Sequence, residues 1–150
     1  MVLNFSDIHD AEFEAKICSF LIEGGFNARI FEDLIEVDSA SVSPKGEKIN
    51  LRLNLIDFDG HRILEITTKI SPYPIDFEHV SLAVFRGNMV CHVAKFKALE
   101  KIGLSPKAYN LIASSHLYAD QLYKEELHSM VYLFTKEVSS IKDELIEILS

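Results

Sequence analysis

INLRLNLIDFDGHRILEITTKI, running from Ile49 to Ile70, consists of two alternating segments joined by Asp59-Gly60. Asp-Gly between alternating runs is a strong hairpin signal, because a type I′ turn needs positive φ at both central residues. With those two residues as the loop, Leu55 faces Leu64, Leu53 faces Ile66, Leu51 faces Thr68 and Ile49 faces Ile70. On the opposite face Asn54 meets Glu65, Arg52 meets Thr67 and Asn50 meets Lys69. Turn and hydrophobic pattern select the same register independently, as a half-buried antiparallel pair requires. The hairpin therefore belongs to a sheet with one dry face, and other elements must cover that face.

The flanking segments supply candidates. Upstream, Ser6 to Glu23 reads as a helix, with Phe13, Ile17, Phe20 and Leu21 on one face. Ser6 or Asp10 can cap its start, Glu12 and Lys16 form an i,i+4 pair, and Gly24-Gly25 supply the stop. Phe26 to Val37 looks extended, either one strand bent at Glu32-Asp33 or a tight pair, and the polar stretch from Asp38 to Lys48 is a loop. Downstream, the prolines of SPYP end the hairpin. Pro74 or Asp76 opens a helix of about 10 to 13 residues, with Phe77, Val80 and Val84 on its inner stripe and Gly87 as its stop. Met89 to Ala98 has strand character, with Val90, His92, Ala94 and Phe96 on one face. Glu100 to Lys107 is a connection, and Ala108 to Tyr118 is a second strand pairing with the first.

The last element is the longest. From Asp120 or Tyr123 to the end, Leu127, Val131, Phe134, Val138, Ile141, Leu145 and Ile148 recur at alternating spacings of four and three, with no Gly or Pro inside. Such a helix is roughly 40 Å long, whereas a five-stranded sheet is about 20 to 24 Å wide. Part of the helix is therefore expected to overhang, where Ile146 and Leu149 widen the apolar face. Leu145, Ile146, Ile148 and Leu149 are the expected partner-binding residues, and the stripe is read either as core or as a seam with a second chain.

Bulk properties narrow the function classes. At 150 residues the chain fits one domain with a core of its own, and 48% hydrophobic against 25% charged residues is an ordinary globular balance. With 23 acids against 15 bases the formal charge is −8, which disfavours a phosphate-backbone binder. Cys18 and Cys91 lie far apart in apolar patterns and read as buried, reduced thiols. There is neither a signal-peptide pattern nor a run of ~20 apolar residues, so a cytoplasmic location is expected.

Candidate chemistry is sparse. Asp57, Asp59 and Gly60 invite a calcium-loop reading, but alignment through Gly60 puts Leu55 and Ile66 at the first and last ligand positions, so calcium fails. Asp57 and Arg62 read instead as a cross-strand ion pair. The six histidines form no local metal spacing. His92 and His116 lie on separate predicted strands that the fold can bring together. Ser114-Ser115-His116 cannot form a triad, because adjacent strand residues point to opposite faces. Lys95, Lys97, Lys101 and Lys107 read as a solvated strand edge.

The element order, with Gly87-Asn88 closing the short helix and SSHLYADQLYKEELHSMVYLF (Ser114 to Phe134) leading a strand into the final helix, resembles the YbjN family. That family looks like the type III secretion chaperones in fold and is labelled a group of candidate sensory transduction regulators. The resemblance implies one α+β domain over residues 1–150. Its single antiparallel sheet has about five strands, with helices packed on it in the order α-β-β-β-α-β-β-α. It supplies no catalytic, cofactor or metal residues. Its chaperone relatives dimerise and bind extended client segments on their helices and sheet surfaces. The expected function is thus a non-catalytic, chaperone-like or regulatory protein-binding domain. It would be a homodimer with an unidentified client, engaging neither nucleic acid nor membrane. The alternatives are a small-molecule-binding domain with an apolar pocket between helices and sheet, and an enzyme built around His92 and His116. Leu53→Asp tests the register. It is expected to abolish the cooperative thermal transition by placing an unpaired charge in the core, and unchanged stability would mean the register is wrong.

Overall fold

Asp59 and Gly60 both take positive φ, 51° and 80°, as a type I′ turn demands. The strands they join pair as the alternation requires, with Leu55 opposite Leu64, Leu53 opposite Ile66 and Asn54 opposite Glu65. The computed structural model describes residues 2–4, 10–39, 49–71 and 73–150. Strand β1 (Val2–Asn4) precedes helix α1 (Asp10–Glu23). Strands β2 (Asn27–Phe31), β3 (Leu34–Ser39), β4 (Ile49–Phe58) and β5 (His61–Lys69) follow. Then come α2 (Phe77–Val90), β6 (Lys95–Glu100), β7 (Tyr109–Tyr118), β8 (Gln121–Tyr123) and α3 (Lys124–Leu149).

Six strands form one antiparallel sheet in the order β2-β3-β4-β5-β7-β6, and β1 pairs with β8 in a separate ribbon. The sheet exceeds the expected five strands because Phe26 to Val37 is a tight pair. It turns at Glu32-Asp33, where Glu32 takes φ 56° and Phe31 faces Leu34. The expected helix start at Ser6 and most of the polar loop before Lys48 fall outside the described residues.

The three helices of the described residues lie over one face. Inward-pointing Ile35, Val37, Leu51, Leu53, Leu64, Ile66, Leu111 and Phe96 are buried beneath them. Helix α1 contributes Phe13, Ile17 and Leu21, and closes with Phe26 N–H donating to Leu21 O (3.0 Å) and Gly25 N–H to Ile22 O (3.0 Å). Helix α3 is buried along its stripe from Leu127 through Leu145 to Leu149. Each such side chain contributes roughly 1.5–3 kcal/mol relative to exposure. The expected apolar overhang is therefore not observed. Helix α2 packs beside α3, and Arg86 on α2 donates to Glu144 near the far end of α3 (2.7 Å).

Three expectations about the middle of the chain are corrected. Gly87 does not stop α2, which runs on to Val90. It is a buried position of close approach, where a Cβ would sit 2.5 Å from the Phe96 ring. Val90 and His92 consequently do not belong to a strand, since β6 begins at Lys95. Asn88 fastens the two elements, accepting from Phe96 N–H (2.7 Å) and donating to Phe96 O (3.0 Å). Asp76 caps the start of α2 by accepting from His79 N–H (3.0 Å). Phe77, expected on the inner stripe, stands at the first helical position, largely exposed, with its ring edge-on to Tyr109.

The connection after α2 is held by one carboxylate. Glu137 of α3 accepts three backbone N–H groups, from His92 (2.8 Å), Val93 (2.7 Å) and Ala94 (2.8 Å). Burial raises its pKa, but these three donors outweigh burial and hold it below the ordinary 4.5. A depressed folded-state pKa contributes stability above the unfolded value, and that contribution is lost as pH falls through the folded one. Glu137→Gln is therefore expected to cost about 1–3 kcal/mol at neutral pH. Its deficit relative to wild type should shrink below about pH 4.5, as read by urea denaturation at several pH values. Gly87→Ala should cost about 1–3 kcal/mol by overpacking. Adding Phe96→Leu should recover part of that loss.

Candidate functional site

The helices leave the other face of the sheet open. Its centre is polar, with Arg29 bonded to Glu36 (2.8 Å) on β2 and β3, and Glu65 bonded to His116 (3.0 Å) on β5 and β7. Toward the Asp59-Gly60 turn it becomes apolar. Phe31, Phe58 and Tyr118 are exposed there, and Leu34, Ile56 and Ile63 are half-buried on the same face. Tyr118 meets His61 edge-on, and His61 is in turn bonded to Asp120 (2.9 Å).

Helix α2 is apolar on two opposite sides. Val80, Ala83 and Gly87 face the core. Opposite them, Leu82, Phe85 and Met89 are 56%, 66% and 62% exposed at helical spacing. A helix that is hydrophobic all round normally has both sides covered. The stripe was legible in the sequence as i, i+3, i+7, but ending the helix at Gly87 separated Met89 from the other two. Of the four residues expected to bind a partner, Leu145 and Leu149 are buried, while Ile146 and Ile148 are half-buried.

The central hairpin parts at its open end. The β4–β5 ladder stops at Arg52 opposite Thr67, although β4 stays paired with β3 to Ile49 and β5 stays paired with β7 to Lys69. The expected pairs Leu51–Thr68, Asn50–Lys69 and Ile49–Ile70 are therefore not made as ladder pairs. The Thr68 hydroxyl instead reaches across to donate to Asn50 O (2.8 Å). Between the separated strands lies a cleft of about 500 Å³, lined by residues of both sheet faces together with Val138 and Lys142 of α3. It differs from the apolar pocket expected between helices and sheet, since Asn50, Arg52, Thr67, Lys69 and Lys142 give it a polar half.

The structure does not unite the expected histidine pair. His116 lies on the open face against Glu65, while the His92 connection is fastened to α3 on the covered side. No grouping of three or more metal-ligating side chains occurs among the described residues. Cys18 and Cys91 are free and buried; burial, with Glu137 nearby, pushes the Cys91 thiol up to about 11. Lys95 and Lys97 lie exposed on edge strand β6, as the solvated-edge reading requires. No described helix is long and apolar enough to cross a membrane.

No family model and no curated protein matches this sequence. Among solved structures, the chain is similar to that of YbjN from E. coli, a proposed transcription regulator. The two are 12% identical with a TM-score of 0.59, over 89% of this chain and 90% of that one. The chain therefore has a YbjN-like fold, the resemblance read from its element order.

Proposed function

We propose that this chain is a non-catalytic protein-binding domain that works as a homodimer, acting as a chaperone-like or regulatory adaptor in the cytoplasm. The observation that carries the reading is the second apolar side of α2. Contiguous exposed apolar surface marks an interaction site, and a symmetric dimer buries one such patch against its own copy. Strand addition at the neighbouring sheet edge is a poorer route, because Asn88 already occupies the N–H and C=O of Phe96. The YbjN-like fold supports a regulatory role. The excess of acids favours a protein partner over nucleic acid.

In this reading the client is an extended segment laid on the open sheet face, where Phe31, Phe58 and Tyr118 offer the aromatic contacts that dominate protein interfaces. The end of α3 contributes no more than its half-buried Ile146 and Ile148. Sedimentation at tens of micromolar is expected to show a dimer. Leu82→Glu combined with Phe85→Glu should weaken dimerisation at least about 100-fold while keeping the wild-type circular dichroism spectrum. A wild-type chain that stays monomeric at high micromolar concentration overturns the proposal.

A further inference from the structure

We propose that the cleft between β4 and β5 is a binding site for a phosphate monoester carrying a small apolar body. Among the described residues three cations, Arg52, Lys69 and Lys142, line it, and no Asp or Glu does. In a chain where acids outnumber bases 23 to 15, this is a local reversal of charge. None of the three has an ion-pair or hydrogen-bond partner among the described residues. Glu36 stands opposite Arg52 in the β3–β4 register, but its carboxylate is bonded to Arg29 at 2.8 Å. Like charges around a concave site raise the local concentration of an anion, and three of them suit a dianion better than a single carboxylate.

The remaining lining fits the rest of such a ligand. The Asn50 amide and the Thr67 hydroxyl can donate hydrogen bonds, and Ile49, Ile70, Ile112 and Val138 form apolar walls. A volume of about 500 Å³ lies within the range of small-molecule sites. The cleft exists because the ladder ends at Arg52 and Thr67, so a ligand there touches both separated strands and α3 at once. Binding only the folded state, it must raise the melting temperature. The site does not involve the outer stripe of α2, so its test is independent of the dimer.

Thermal melting of the full chain at matched ionic strength, with phenyl phosphate, inorganic phosphate and benzoate, separates the contributions. Phenyl phosphate is expected to raise the melting temperature saturably, inorganic phosphate less, and benzoate least. Arg52→Gln and Lys142→Gln should each weaken phenyl phosphate binding about tenfold or more, whereas Lys97→Gln, outside the cleft, should leave it unchanged. The proposal is overturned by no saturable shift up to about 10 mM, by an equal response to benzoate, or by unchanged binding in a folded R52Q/K142Q variant. A response to inorganic phosphate equal to that for phenyl phosphate would overturn the apolar-body requirement.

Discussion

A sheet with one dry face is the constraint on which this structure depends. Side chains alternate along a strand, so shifting the central hairpin by one residue would carry Leu51, Leu53, Leu64 and Ile66 to water and Arg52 and Glu65 to the core. Asp59-Gly60 prevents that slip by admitting the tight turn only in the register that keeps the leucines together. With the dry side chosen, the three helices have one place to bury their stripes. The opposite face keeps its charged and hydroxyl groups in solvent, and exposed apolar side chains remain where this segregation is incomplete.

Legibility in the sequence followed the strength of the local signal. The hairpin and α3 could be read almost residue by residue, because each combines a clear period with buried apolar positions. The β2–β3 turn was ambiguous because Glu32-Asp33 has no glycine to announce a positive φ, yet Glu32 adopts one. The end of α2 was misplaced because glycine carries two meanings. It can close a helix, or, as at Gly87, make room for a neighbour such as Phe96 that only tertiary packing reveals. The parting of β4 from β5 left no trace in the alternation, since both strands keep the same inward residues after the ladder between them has ended. The cleft cations are likewise scattered along the chain and come to line one cleft only in the fold.

Glu137 shows how little is needed to redirect the chain where pattern fails. Met89 to Ala98 alternates well enough to pass for a strand, but α2 continues to Val90 and the next residues must turn before β6. Three successive amides there would be left without partners, and a single carboxylate from α3 accepts all three. The same helix thus supplies both the apolar spine over the sheet and the polar clamp that fixes one of its connections.

The strand order also has a temporal meaning. From β2 to β5 the sheet is a meander in which each strand pairs with its sequence neighbour, and β6 likewise pairs with its neighbour β7. The seam between β5 and β7 is different. It forms only after the chain from Ile70 to Ala108, including α2 and β6, has been drawn into a loop. Closing that loop has an entropic cost that the hairpins do not bear, and non-local pairing of this kind slows folding. The six-stranded sheet is therefore two locally paired pieces joined along one line, where Ile70 N–H donates to Leu111 O (2.8 Å) and the buried Ser71 hydroxyl accepts from Leu111 N–H (3.1 Å). Its contacts, unlike those within the hairpins, are available to neither piece on its own.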